Sequence, residues 1–473
     1  MIAWLLARAA IAALFAVVIG LAVMNKKRER IKTAIGEKSA IYRPYAYIGC
    51  IPAIILAIVI LELLFYGPEK ASSELLALCF NSFLVLGLYY IVLAPLMPWL
   101  RRRISAWVCA SLWLLPNVLF LIRPNSFSVG MPLYVVVTSG DLAYTLLYIW
   151  LAGCCLILFW KIVEHLVFRR RILRGAVEAE PEAQALLLSE LELAKFRGRK
   201  PLLLRSGNIT SPLSIGLYRR TIRIVLPERA YSEDDLRLIL RHEVVHVCHE
   251  DALSKFSLVS TEAMCWFNPL VWLAMRRSAE DIELSCDESV LLDANESGRR
   301  KYADLLLKET GNAHGFTTCL SSSARSLRYR LKNIIRPQAK YDGALAISLA
   351  VFFLLMCVGQ VALAYGGGTG ADIVFQAHDP ANFKLEDEPQ ADEAALSDYL
   401  ASLELRELTG DYDFDVDGAR HRGFIYSSPL GQVYVGLYDN ALELLIYNIN
   451  RHVQYYYIPE GVDWELMDRI LPR

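Results

Sequence analysis

RHEVVHVCHED, Arg241 to Asp251, sets two histidines four residues apart with a glutamate directly after the first, then adds a third histidine and two acids within five residues. It reads as a metal-binding stretch only if it lies in a helix, where positions i and i+4 share one face. The residues before it provide that helix. In YSEDDLRLILRHEVVHVCHEDALSKF, Ser232 with Asp235 three residues on forms a capping box, and Leu236, Leu238, Ile239 and Leu240 begin an apolar helical run. His242 and His246 can then present imidazole nitrogens to one ion, and Glu243 beside them can accept a proton from a water held there. Chance produces H-E-x-x-H in a chain of this length about one time in a hundred. The motif supplies two ligands, and zinc needs a third.

Ahead of the helix, LLRSGNITSPLSIGLYRRTIRIVLP, Leu203 to Pro227, alternates bulky apolar and polar residues around Gly and Pro, which predicts two or three short strands. Behind it, after the tryptophan-rich turn CWFNPLVWLAMRR, the segment SAEDIELSCDESVLL reads as a second helix with Glu280, Glu283 and Asp287 at i+3 and i+4 spacing. Periodicity does not choose between Glu280 and Glu283 as third ligand, and a solvated acidic face is the plain alternative.

The remaining sequence decides where this unit sits. A chain of 473 residues with 55% hydrophobic and 21% charged residues, and a mean hydropathy of +0.33, is too apolar for a soluble globular protein. Six apolar runs are long enough to cross roughly 30 Å of hydrocarbon. They lie near Ile2 to Met24, Ala46 to Tyr66, Glu74 to Leu100, Ile104 to Ile122, Pro132 to Phe168 and Gly343 to Tyr365. Basic loops alternate with poor ones: NKKRERIKTAIGEK, Arg101 to Arg103 and FRRRILR against GPEKASS and RPNSFSVGM. This predicts an outside N-terminus, a cytoplasmic segment from Arg169 to about Asp342, and an outside tail from Gly366. The first span has its charges after the apolar stretch, unlike a cleaved signal peptide. From Gly366 onward 20 acids face 7 bases, a net −13, while the preceding 42 bases and 30 acids give +12. All ten cysteines fall in the spans or the cytoplasmic segment and read as reduced thiols.

HEVVHVCHED, CWFNPLVW and ELSCDESVL, with SPLSIGLYRRTIRIVLP before them and RKYADLLL after, together resemble the membrane-embedded regulatory metallopeptidases of the BlaR/MecR type, the sensor-transducers of beta-lactam resistance. The resemblance implies a gluzincin site holding one zinc ion, with His242, His246 and Glu283 as ligands and Glu243 as catalytic base. It places Asp287 and Asp251 in supporting roles. Tyr302 and Arg300 are candidate donors to the transition state. His249 reads as a surface residue and Cys286 as a packed thiol. The predicted fold is a multispanning α-helical membrane protein with an inserted cytoplasmic α+β peptidase domain and a small extracytoplasmic α+β domain. Its divisions are 1–168 with about five membrane helices, 169–342 for the zinc domain, 343–365 for the last span and 366–473 for the tail.

The resemblance stops at the tail, whose single Lys384 has no serine three residues before it, so sensing of beta-lactams by acylation is not expected. GGGTG reads as a flexible link, the acidic stretch after it as partly helical, and GFIYSSPLGQVYVGLYD as part of a small sheet. DYDFDVDG opens like a calcium loop but has Phe424 where the twelfth position needs Glu, so an Asp-Gly turn is preferred. The basic runs FRRRILRG and SLRYRLKNIIRP read as contacts to lipid headgroups. The second lies in the segment Gly311 to Lys340, where self-cleavage is implied by the resemblance. The expected activity is regulated zinc endopeptidase action at a bacterial inner membrane, on a cytoplasmic target such as a transcriptional repressor and on the chain itself. Expected partners are that substrate, the lipid bilayer, an extracytoplasmic ligand of the tail and a second copy in a homodimer, with no direct nucleic acid. A constitutive quality-control protease and a non-proteolytic receptor or scaffold are the alternatives.

Overall fold

The N-terminal helix α1, Ile2–Ile35, turns large apolar side chains outward: Leu6, Leu14, Phe15, Val17, Val18 and Leu21 are each half or more exposed. Such a surface is unfavourable in water and at home in lipid. The computed structural model describes residues 2–35, 51–121, 133–137, 140–196, 198–217, 220–292, 294–310, 324–336, 340–357, 361–376, 378, 384–386, 390–408, 420–428, 431–446 and 453–472. Within them three helical stretches are long and apolar enough to cross a membrane: Leu6–Met24, Leu78–Arg103 and Thr145–Leu173.

The six predicted spans are redistributed among these elements. Helix α2, Ile51–Arg103, continues through Gly67 to Ser73, expected as a loop, and at 53 residues is about 80 Å long. The expected fourth span is the short helix α3, Ala106–Leu114, with a 3₁₀ turn, Leu115–Leu121. Val108, Cys109, Ala110, Leu112, Trp113 and Leu114 are at most 1% exposed. A helix this apolar and this largely buried packs mainly against protein, and at 9 residues it is shorter than the expected span. The expected fifth span opens with a strand, β1, Leu133–Val137, before helix α4, Gly140–Leu173, whose Leu156, Phe159 and Trp160 point outward.

The middle of the chain folds around a four-stranded sheet. Strand β2, Val177–Glu178, and helix α5, Pro181–Leu193, precede β3, Leu202–Ser206, β4, Leu213–Ile215, and β5, Arg223–Pro227, in the order β2-β3-β5-β4. Only β3 and β5 run parallel, and β4 is an edge. Helix α6, Glu233–His249, lies on this sheet: Leu236, Leu240 and Val244 pack with Leu187 and Leu191 of α5 and Ile224 and Leu226 of β5. The Ser232 hydroxyl accepts the Asp235 N–H at 3.1 Å, as its position predicts. Glu250, at φ +57°, then turns the chain into α7, Asp251–Met264. Pro269 opens α8, Pro269–Val290, with Asn268 accepting the Leu270 N–H at 3.0 Å. Helices α9, Glu296–Thr310, and α10, Ala324–Ile335, complete the unit.

Helix α11, Ala344–Cys357, packs on α1 so closely that a Cβ on Gly20 would lie 2.3 Å from Ser348 Oγ, and Ser348 donates to the Ala16 carbonyl at 2.8 Å. The expected sixth span is shorter than predicted. The helix ends at Cys357, and β6, Val361–Thr369, draws GGGTG into a strand, so it is no flexible link. After α12, Gly370–Ile373, β7, Lys384–Leu385, and α13, Glu393–Ser402, come β8, Glu404–Leu408, β9, Arg422–Ser428, β10, Gly431–Leu437, β11, Ala441–Ile446, β12, Gln454–Tyr457, and α14, Trp464–Ile470. They form an eight-stranded sheet, β1-β6-β8-β12-β11-β10-β9-β7, in which β1 pairs parallel with β6. The tail sheet therefore begins before Gly366 and includes a strand from between the membrane helices. DYDFDVDG lies outside the described residues, as do 311–323 of the expected self-cleavage segment.

Candidate metal centre

Three elements converge below the free edge of β4. On α6, His242 Nε2 and His246 Nε2 face each other at 3.0 Å. Asp251, at the first turn of α7, accepts from His246 Nδ1 at 2.6 Å, which keeps a proton on Nδ1 and turns Nε2 toward the site; against the lowering effect of burial, Cys286, Glu283 and this bond to Asp251 raise the imidazole well above its ordinary value. The left-handed residue Glu250 makes the turn that puts this carboxylate beside the ring. From α8, Glu283 Oε2 lies 3.6 Å from His246 Nε2 and 3.9 Å from His242 Nε2. Two imidazole nitrogens and a carboxylate oxygen directed at one point form a donor set that suits zinc. The residues present thus fit the metal that the sequence implies.

Glu280, the alternative ligand, turns away and pairs with Arg277 at 2.9 Å. Cys286 Sγ forms a close group with the two histidines, 3.3 Å from His242 Nδ1 and 4.0 Å from its Nε2. Burial pushes its thiol up to about 12, so it packs as a neutral group. Burial, and then the neighbouring His246, holds the His242 imidazole well below its ordinary value and therefore neutral. For Glu283 burial works upward, but Lys255, at 3.0 Å, and His246 outweigh it and keep the carboxyl ionised. Glu243 is 5% exposed, and burial raises its carboxyl above the usual range.

The supporting residues differ in part from expectation. Tyr302 is brought to the site, but behind His242: its hydroxyl lies 2.8 Å from His242 Nδ1 and donates to Asp287 Oδ1 at 2.8 Å. There it bridges the ring to Asp287. Asp287 thus reaches His242 through Tyr302, while Asp251 makes the direct histidine contact. Arg300 is not at the site; its exposed guanidinium pairs with Glu296 at 2.6 Å. His249, expected on the surface, is 3% exposed. Arg330, placed by sequence in a lipid-facing basic run, is buried and holds Asp287 with both Nε and Nη2 at 2.7 Å. Spacing gave no signal for Arg330 or Lys255, since neither belongs to a local motif.

A cleft of about 370 Å³ opens beside His246, lined by Ser214, Gly216, Leu217 and Ile222 from the edge of the sheet and by Val247 and Leu253 from the helices.

The family model for the BlaR1 peptidase M56 matches residues 96–334, half of the chain. The chain belongs to that family. The M56 region contains every residue of the centre, from His242 to Arg330. The chain is 26% identical to the regulatory protein BlaR1 of Bacillus licheniformis over 213 residues, 44% of this chain and 35% of that protein. It is equally identical to the methicillin resistance mecR1 proteins of Staphylococcus aureus and Staphylococcus epidermidis over 175 residues, 36% of this chain and 29% of theirs. The matched region spans about a third of the length of these relatives. M56 membership places the chain in a peptidase family whose matched relatives are described as regulatory and methicillin resistance proteins, and its apolar helices are in keeping with a membrane location.

Proposed function

We propose that this M56 protein is a zinc endopeptidase that cleaves a cytoplasmic protein, such as a transcriptional repressor, and its own chain, under control of the domain formed by its C-terminal sheet. The convergence of His242 Nε2, His246 Nε2 and Glu283 Oε2 within 3.9 Å, next to the buried Glu243, carries this reading. Zinc bound by these three residues would supply a Lewis acid that activates water at neutral pH and polarises the scissile carbonyl. Glu243 accepts the proton of the attacking water and passes it to the leaving amine, and its burial strengthens it as a base. Asp251 and the Asp287–Tyr302 pair hold the two rings in the required tautomer. A substrate strand adds to the free edge of β4, which lines the cleft beside His246.

The regulatory part of the reading draws on the relatives' description as regulatory and methicillin resistance proteins. It draws also on the pairing of β1 with β6, which links the tail sheet to the stretch leading into α4. The proposed topology puts 169–342 in the cytoplasm and the tail outside an inner membrane, as the alternation of basic loops predicts. The test is an immunoblot of the membrane-expressed chain, tagged at both ends, against Glu243→Ala. Fragments in the wild type that vanish in the variant are expected; identical band patterns in the two chains refute self-cleavage at this site.

A further inference from the structure

Helix α10 carries bases with two different fates. Arg328 and Lys332 point to solvent, whereas Ser326, Arg330 and Ile334, four residues apart along one face, are buried. Ile334 joins an apolar cluster with Val245 of α6, Cys286 and Val290 of α8 and Tyr302 of α9, which seats the helix against the two helices that carry the ligands and the one that carries Tyr302. One turn earlier, that seating delivers Arg330, 6% exposed, to Asp287 and places its Nη1 3.6 Å from Glu283 Oε2. The two parallel bonds of 2.7 Å use the planar fork of a guanidinium, a geometry that a lysine ammonium does not reproduce.

We propose that Arg330 is a positioning residue of the metal centre, acting through Asp287 and Tyr302 on His242 and through its charge on Glu283. The proposal rests on the metallopeptidase reading of the site. A guanidinium that clamps Asp287 leaves that carboxylate one orientation. Tyr302 is then held to donate to Asp287 and accept from His242 Nδ1–H, so that Nε2 faces the metal position. Its neighbour Tyr329 donates to the Arg101 carbonyl of α2 at 3.3 Å, so the helix that carries the clamp also touches the end of an apolar membrane helix. A shift of α10 would withdraw both the clamp on Asp287 and the charge beside Glu283.

The experiment titrates the metal-free full-length chain in detergent micelles with cobalt(II) alone, reading the visible d–d spectrum and the affinity against a chelator. Wild type, Arg330→Gln, Arg330→Lys, Glu283→Gln and the solvent-facing control Arg328→Gln are compared, with folding followed by thermal melting. Arg330→Gln should bind cobalt about 10–100-fold more weakly with an altered spectrum, Arg330→Lys should fall between, and Arg328→Gln should match wild type. Wild-type affinity and spectrum in the folded Arg330 variants overturn the proposal. Loss of folding in both Arg330 variants overturns it too, by assigning the residue to the fold. Absence of cobalt binding in the wild type, or full binding in Glu283→Gln, instead refutes the metal-site reading beneath it.

Discussion

Replacing Arg101 with methionine should expose how firmly α8 is tied to the apolar helices. Asp281, two residues before Glu283, is 0% exposed and accepts from Arg101 Nη2 at 2.9 Å and from the Trp113 indole N–H at 2.8 Å. Burial pushes its carboxyl up to about 6 from 3.8 even with Arg101 in place. A folded-state value above the unfolded one means that the stability from this group is complete below pH 3.8 and is lost as pH rises through about 6. The shift corresponds to a loss of about 3 kcal/mol at neutral pH. Arg101→Met removes the compensating charge from a fully buried carboxylate, and breaking such a pair costs about 3–5 kcal/mol. The penalty should be full at pH 8 and shrink toward pH 5, where Asp281 takes up a proton. The double variant Arg101→Met/Asp281→Leu should recover most of the loss, because it removes both charges. Equilibrium unfolding in mixed micelles at the two pH values measures this. A single-variant cost below about 1 kcal/mol at pH 8, or a double variant as unstable as the single, would refute the reasoning.

Two further outcomes bear on the centre itself. Asp251→Asn should weaken metal binding about 10–100-fold, since the amide is a poor acceptor for His246 Nδ1–H; metal content after dialysis against graded chelator measures it. Glu283→Gln should abolish peptidase activity and retained metal, whereas Glu280→Gln, which loses contacts to Arg277 and Arg101 away from the histidines, should keep both; elemental analysis beside the Glu243→Ala immunoblot distinguishes them.

Local chemistry made much of the centre legible. Ser232, the 3.6-residue repeat and the i, i+4 histidines depend only on neighbours in sequence, so α6 and its two imidazoles follow from the sequence alone. The three strands before it follow in the same way from alternation and the Pro227 stop. The membrane reading rests on composition, which cannot tell lipid from protein as the surroundings of an apolar helix. Hence α3, read as part of a span, could be found mostly buried against other helices only from the structure. The tail sheet was visible as alternation, but its first strand and the partner of that strand, β1, lie in runs apolar enough to be read as membrane.

What only the tertiary structure decided is which side chains face one another across elements. Glu280 and Glu283 share a helix and a charge, and the way α8 lies against α6 turns one toward the imidazoles and the other toward Arg277. Tyr302 has a place behind His242 because α9 packs there, and Arg330 points inward because Ile334 anchors its helix in an apolar cluster. Periodicity records a residue's angle around its own helix axis. The partner it meets depends on how two axes cross, which is set by packing among residues far apart in the chain.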